Sequence, residues 1–195
     1  MKIIAVGMNY AAHNKELHHS LELSEPTIFM KSDSSLLKDG KPFFIPLFSQ
    51  NWSYRLGFAM RNGRLGKNVG ERFASRYLDA MTLCVLPFPD DAMASYAGLQ
   101  HGLLNIYEGA IILGEWQPVN DSASPLIAAI GDYTVDFSGE IENAWQLFAK
   151  ASAIGVMKIG DIIVTCHDCF ARELPVDTLV EGTLNGVTAL HFRIK

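Results

Sequence analysis

The chain has 195 residues, 49% of them hydrophobic, and a formal net charge of -5 with a pI near 5.6. This length and apolar content suffice for one substantial core, so we predict a single domain over residues 1–195. The acidic balance provides no electrostatic footprint for nucleic acid or anionic membranes, and we predict neither as a partner. No uninterrupted apolar run reaches the length of a membrane span, and three cysteines argue against a secreted disulfide framework. A soluble cytoplasmic protein is the resulting expectation.

The first part of the chain is strand-like, with one helix-like segment near its N-terminus. Apolar runs predict strands over residues 2–7, 26–30, 41–46 and 52–60. Residues 9–17 are helix-like, and His13 and Glu16 share a face of that helix because they lie three residues apart. A carboxylate bound to one imidazole nitrogen can raise the basicity of the other nitrogen. On spacing alone, however, an exposed polar helix face is the better interpretation of this pair.

One residue is out of keeping with the predicted strand over 52–60, which reads WSYRLGFAM. Arg55 stands among apolar and small side chains, with Gly57 two positions further on. A guanidinium group in a buried strand needs a partner or a route to water. This strand is therefore a candidate site, although an Arg55 side chain that reaches solvent from a strand edge is the simpler interpretation.

The rest of the chain predicts more strands than helices. Val69, Phe73, Tyr77 and Met81 recur at helical spacing, and the Asp pair in PFPDDAMASYAGL predicts a capped helix. The clearest amphipathic helix spans residues 140–153, with Ile141, Trp145, Phe148 and Ser152 on one side. Strand-like runs cover residues 82–86, 109–116 and 125–137, together with the C-terminal GDIIVTC and TLVEGTLNGVTALHFRIK. Asn-Gly at 185–186 between apolar runs predicts a hairpin, and the element order favours a β-rich α+β fold.

A second candidate site is the stretch TCHDCF, in which Cys166 and Cys169 form a C-x-x-C pair around His167. A zinc site needs further ligands at recognisable spacing, and the sequence contains no second C-x-x-C or H-x-x-x-H. A thioredoxin-type dithiol needs a helix directly after the motif, and Pro175 leaves barely one turn. A loop with two unremarkable thiols is the better interpretation.

Several longer stretches, taken in order, resemble the fumarylacetoacetate hydrolase family in its compact single-domain form. They are VGMNYAAHNKEL, EPTIFMKSDSSLLKDGKPFFIP, RLGKNVGERFASRYLDAMT, MKIGDIIVT and LVEGTLNGVTALHFRIK. The resemblance implies a rolled mixed β-sheet with a few flanking helices, usually in homodimers. It also implies Mg²⁺- or Mn²⁺-dependent chemistry on 2-oxo acids such as acylpyruvates. A hard cation of this kind prefers carboxylate ligands, and it stabilises the enolate formed from the substrate.

Matched residue by residue, the resemblance gives a divided result. His13 and Glu16 match the family's catalytic dyad, and Lys31 in FMKSD matches its substrate-binding lysine. The Glu-x-Glu pair that holds the metal corresponds to Arg55 and Gly57, and the later metal-binding Asp corresponds to Leu86 in CVLPF. Three negative charges are lost and one positive charge is gained, a local change of about +4, which should repel a divalent cation. The resemblance therefore predicts no metal cofactor here.

Three hypotheses about function follow. The first is a non-catalytic family member in which Arg55 occupies the former metal position, pairing with Glu16 or binding a small carboxylate. The second is an enzyme with altered chemistry, using His13, Glu16 and Lys31 without metal, or a softer metal site rebuilt from Cys166, His167 and Cys169. The third is a structural or regulatory subunit that pairs with an active homologue.

Overall fold

The protein is strand-rich, with a large curled sheet, a smaller sheet and few helices. A computed structural model describes residues 1–6, 28–38, 40–95, 105–119, 125–165 and 172–195. The strands of the larger sheet are β1 (Ile3–Val6), β2 (Ile28–Lys31), β3 (Leu36–Leu37), β4 (Trp52–Asn62), β5 (Leu78–Pro89), β6 (Ile111–Leu113), β7 (Gln117–Pro118), β10 (Ile162–Thr165) and β11 (Arg172–Glu173). Those of the smaller sheet are β8 (Ile127–Ile130), β9 (Tyr133–Asp136), β12 (Leu179–Leu184) and β13 (Val187–Arg193). The α+β, β-rich class predicted from the sequence is confirmed.

The larger sheet is mixed, and its order is β2-β1-β10-β4-β5-β6-β3, with β11 paired to β4 and β7 paired to β5. Strands β1 and β10 are parallel, whereas β4 is antiparallel to both β10 and β5. The β4–β5 pair is the longest in the molecule's described part, with eleven residue pairs from Trp52–Pro89 to Asn62–Leu78. Because side chains alternate along a strand, the odd-numbered residues of β4 up to Arg61 share one face of this sheet.

The other face of β4 contributes to the main hydrophobic core. Leu56, Phe58 and Met60 are at most 2% exposed and belong to one apolar cluster. The same cluster includes Ala144, Leu147 and Phe148 from the helix Glu140–Ile154, as well as residues from the smaller sheet. This helix matches the one predicted over 140–153 because its apolar residues recur on the buried side. We number it α3, after the short helices α1 (Glu71–Ala74) and α2 (Asp90–Ser95).

Two elements expected from the sequence are different in the structure. Residues 41–46 form only an isolated bridge, between Phe43 and Ile194, because prolines at 42 and 46 cannot donate ladder hydrogen bonds. The helical spacing from Val69 to Met81 yields only the four-residue helix α1. Met81 instead pairs with Met60 in the β4–β5 ladder, so tertiary strand pairing overrides the local helical pattern.

Candidate functional site

The candidate site lies on the odd-numbered face of β4, where the strand pairs with β5. Arg55 is opposite Leu86, and Gly57 is opposite Cys84, two positions further along the ladder. Cross-strand partners lie on the same side of a sheet, so these four residues share one surface. The three positions that the family resemblance assigns to metal ligands are thus neighbours, although Leu86 and Gly57 lie 29 residues apart in sequence.

Arg55 is half-buried and stacks on an aromatic ring. Its guanidinium carbon lies 4.7 Å from the ring centroid of Phe88, a cation–π contact that positions the side chain over the β5 side of the site. Phe88 is the next residue on the same face of β5 after Leu86, and it pairs with Ser53. Sequence reasoning missed Phe88 and Cys84 as neighbours of the site. The spacing 84, 86, 88 carried the necessary signal once Leu86 was assigned to a strand, since alternate residues face the same side.

Gly57 lies where two strands approach closely. A Cβ atom at this position would be 2.9 Å from the Cys84 Sγ and 3.0 Å from the carbonyl oxygen of Thr165 on β10. With a Cβ at this position, the Cys84 thiol would have to shift and the Thr165 carbonyl would have to give by a few tenths of an ångström. A glutamate at position 57 therefore requires local rearrangement where β4, β5 and β10 meet.

The residues at the three family ligand positions do not fit a divalent cation. Mg²⁺ and Mn²⁺ need oxygen ligands, preferably anionic carboxylates, to compensate for dehydration. Arg55 contributes a positive charge, Gly57 contributes no side chain, and Leu86 contributes a hydrocarbon. The Cys84 thiol beside them is buried and is a poor ligand for these hard ions. The surface instead suits an anion that can bind the guanidinium group.

Lys31, predicted to bind substrate, lies at the C-terminal end of β2 and is only 8% exposed. It pairs with Ile3 of β1, which lies opposite Ile162 of β10, and Ile162 in turn lies opposite Arg61 of β4. By register, Lys31 therefore lies on the same sheet face as Arg55. Across the sheet it is aligned with Arg61, six residues after Arg55 on β4. The other predicted site residues lie outside the described part of the chain: His13, Glu16, Cys166, His167 and Cys169.

The beginning of β4 is fixed by two acidic residues that directly follow β5, at the start of helix α2. The Asp91 carboxylate accepts hydrogen bonds from the Ser49 hydroxyl and from the backbone amides of Gln50 and Asn51, the last two at 2.9 and 3.1 Å. These donors, the Ser49 hydroxyl first, hold the pKa of Asp91 well below its usual range. Asp90 accepts a 3.0 Å hydrogen bond from the hydroxyl of Ser53, which precedes Arg55 on the same face. This end of the strand is consequently held in register.

The fold and site agree with what is found in related proteins. Residues 2–191 match the family model described as fumarylacetoacetate (FAA) hydrolase C-terminal. The chain belongs to the fumarylacetoacetate hydrolase family. Among curated relatives, the chain is 32% identical over 205 residues to the mitochondrial oxaloacetate tautomerase of Bos taurus and 31% identical to the human one. In each case the match covers 99% of this chain and 91% of the relative.

Solved structures show the same fold for this family member. A fumarylacetoacetate hydrolase family protein from Yersinia pestis matches with a TM-score of 0.81 at 21% identity, covering all of this chain and 93% of that one. The fumarylpyruvate hydrolase from Pseudomonas aeruginosa in complex with Mn²⁺ and pyruvate matches with a TM-score of 0.77 at 14% identity, covering all of this chain and 89% of that one. The family and the fold predicted from the sequence motifs are therefore confirmed.

Two findings bear on the cellular location expected from the sequence. In the described part of the chain, no helix has both the length and the apolar content to cross a bilayer. The curated relatives named above are mitochondrial proteins, so the prediction of a cytoplasmic protein is not confirmed.

Proposed function

We propose that this protein binds a small carboxylate at Arg55 and does not run the Mg²⁺- or Mn²⁺-dependent chemistry of its family. The observation that carries the proposal is the ladder arrangement of Arg55 opposite Leu86, with the tightly packed Gly57 beside them. Without a Lewis acid to polarise a keto acid, an isolated acid–base dyad supplies only about 10²–10⁴-fold acceleration. A non-catalytic role is therefore the function that this surface supports best.

The ligand class follows from the chemistry of the guanidinium group. Arg55 offers planar paired donors, which match the two oxygens of a carboxylate, and its stacking on Phe88 fixes the plane of those donors. In the family, a divalent cation is expected to hold the carboxylate and keto oxygens of a 2-oxo acid. The relatives named above are oxaloacetate tautomerases, and the Pseudomonas aeruginosa structure holds pyruvate. Oxaloacetate and pyruvate are consequently the first ligands to test.

The decisive experiment is a calorimetric titration of the purified protein with pyruvate and oxaloacetate, with and without Mg²⁺ or Mn²⁺. We expect carboxylate binding that does not depend on the metal and that Arg55→Ala weakens by about 10-fold or more, the usual loss for a charged hydrogen-bonded contact. Arg72→Ala is a matched control, since that guanidinium lies 4.5 Å from the Phe73 ring on the exposed helix α1. The control should bind the carboxylate as the unmodified protein does.

Two results would contradict the proposal. One is metal binding in the micromolar range, and the other is turnover of an acylpyruvate that His13→Ala abolishes. A gain of Mg²⁺ binding in the double variant Arg55→Glu/Leu86→Asp would instead support it, because the two substitutions place carboxylates on adjacent strands.

A second candidate is an enzyme that acts on 2-oxo acids without metal. The burial of Lys31 favours it, because lysines are rarely buried outside functional or paired sites. Oxaloacetate tautomerisation or decarboxylation measured in excess chelator distinguishes the two candidates. Activity that Lys31→Met abolishes, and that the exposed Lys41→Met keeps, would favour the enzyme.

Homodimer formation, which the family resemblance implies, is part of the same proposal. Pairing with an active homologue is the alternative, since it would give the altered site a regulatory role. Sedimentation analysis of the pure protein, followed by co-purification from the native host, separates the two. Recovery of homodimers alone in the co-purification would count against the heteromeric role.

A further inference from the structure

Two neighbouring turns beyond the far end of β4 expose large aliphatic side chains. Residues 63–68 follow β4, and residues 155–161 join α3 to β10. Gly66 and Met157 exchange two backbone hydrogen bonds, of 2.9 and 2.8 Å, which hold the turns side by side. The buried Asn62 amide donates to the carbonyls of Arg64 and Lys158, at 2.7 Å each. The two turns therefore form one rigid surface.

This surface combines exposed aliphatic groups with basic groups, and we call it the basic apolar patch. Its members are Arg64, Leu65, Lys67, Ile154, Val156, Lys158 and Ile159. Exposure reaches 67% for Leu65, 83% for Ile154 and 73% for Ile159, which is unusual for neighbouring large aliphatic residues. Single exposed apolar residues are normal on protein surfaces, but an apolar patch of this kind marks an interaction site.

The electrostatics of the patch oppose those of the chain as a whole. Arg64, Lys67 and Lys158 are exposed, and none of them forms an ion pair with a carboxylate of the described residues. The single acidic residue of the two turns, Asp161, is 2% exposed and accepts 2.8 Å hydrogen bonds from the amides of Lys2 and Lys158. The patch thus presents three positive charges on a chain whose net charge is -5.

We propose that the basic apolar patch docks this protein onto an anionic lipid surface. Aliphatic side chains at turn tips can enter the boundary between headgroups and acyl chains, while neighbouring Lys and Arg side chains bind the anionic headgroups. A second copy of the chain is disfavoured as the occupant, because a two-fold contact would set the same positive charges against each other. The net charge predicts no membrane affinity, but it averages over the chain and does not describe this local surface.

The patch is separate from the surface around Arg55. Six residues of extended strand, or about 20 Å, separate Arg55 from Arg61 at the end of β4 that leads to the patch. Docking through the patch therefore leaves the carboxylate proposal untouched. The two proposals can also fail independently, since one is measured with vesicles and the other with soluble ligands.

Flotation with phosphatidylcholine vesicles, with and without about 30% phosphatidylserine, tests the inference. We expect binding to the anionic vesicles alone, reduced at high salt as electrostatic attraction is screened. Lys67→Glu/Lys158→Glu should weaken that binding by about 10-fold or more. Ile154→Ser/Ile159→Ser should weaken it to a similar extent, since it removes the inserted aliphatic groups.

Matched controls use exposed residues on other surfaces. Lys38→Glu/Lys41→Glu reverses two exposed charges, and Leu47→Ser removes an aliphatic group that is 93% exposed. Both controls should bind as the unmodified protein does, and circular dichroism checks that every variant is folded. No binding to anionic vesicles, or equal losses in controls and patch variants, would overturn the inference. So would binding only to a soluble acidic polypeptide, or a homodimer that Ile154→Ser/Ile159→Ser dissociates.

Discussion

The two faces of strand β4 differ in side-chain size, charge and role. On one face, Leu56, Phe58 and Met60 are buried in the main core, where they pack against the other sheet and helix α3. On the opposite face, Arg55, Gly57 and Ala59 alternate a charge with two small residues. The first face carries the fold that the chain shares with its family. The second face carries Arg55 and Gly57, at positions to which the family resemblance assigns metal ligands.

Under the proposed function, β4 retains its structural role on one face while the chemistry of its other face changes. The apolar face contacts many neighbours, so a change there disturbs the packing of the whole core. The opposite face packs into a second, smaller apolar cluster that includes Ala59 and Cys84, and it has close contacts around Gly57. Four changes, given from the largest expected effect on stability to the smallest, test this contrast between the two faces of β4 and the contacts at the ends of the strand.

Phe58→Ala should give the largest loss of stability. Phe58 is fully buried, and its ring centroid lies 6.0 Å from that of Phe137, which is also fully buried. Truncation of such a residue leaves a cavity and typically costs about 3–5 kcal/mol in the free energy of unfolding. Urea unfolding measures the loss, with Phe44→Ala as control because Phe44 is 65% exposed. A loss below that of the other substitutions would contradict the assignment of this face to the core.

Gly57→Ala should cost less, about 1–3 kcal/mol, because the added methyl group overpacks the second face. Cys84→Ala removes one of the two close contacts, so the double variant should be more stable than the sum of the single effects predicts. Gly155→Ala is the control, since a Cβ there meets nothing within 4 Å. If Gly57→Ala were neutral, a glutamate at this position would be tolerable and the packing argument against a metal ligand would fail.

Local sequence signals predicted much of the fold. The Asn185–Gly186 turn adopts φ values of 50° and 78°, as a two-residue hairpin turn with two positive φ angles requires. Helix α3 was recognisable because its apolar residues recur on one side over four turns. Residues 69–81 were misassigned, since their helical spacing is a local signal and β4–β5 pairing is not. The residues that decide the β4–β5 pairing lie far apart in sequence.

The candidate site could be predicted only in part, for a related reason. Family motifs brought Arg55, Gly57 and Leu86 together as aligned positions, but they could not show what surrounds those positions. Phe88 and Cys84 become neighbours of the site through the register of β4 and β5, which includes a shift between Arg61 and Asn62. The close approach of the Thr165 carbonyl to Gly57 depends on a third strand. This last contact follows from tertiary packing, whereas the alternation of residues 84, 86 and 88 along β5 is a local pattern.

Asp91→Asn should have a smaller, pH-dependent effect at the beginning of β4. The folded state lowers the pKa of Asp91 below its ordinary 3.8, so the ionised carboxylate stabilises the fold above that pH. The stabilisation is lost as the pH falls through the lower pKa of the folded state. Urea unfolding at neutral pH should therefore show a loss for Asp91→Asn, and the loss should shrink toward pH 3 and below. Asp132→Asn, on the exposed β8–β9 turn, is the matched control for the substitution itself.

The smallest effect is expected for Arg61, the second arginine on the face of Arg55. Arg61 forms two hydrogen bonds to Asp79, of 3.0 and 3.2 Å, and the two side chains are 40% and 48% exposed. A double-mutant cycle of Arg61→Ala and Asp79→Ala should give a coupling of only about 0.2–1 kcal/mol that weakens in high salt. A coupling above this range, unchanged by salt, would mean that both ends of the face are shielded from water. The Arg61–Asp79 pair would then be buried from solvent, contrary to the exposure of its two side chains.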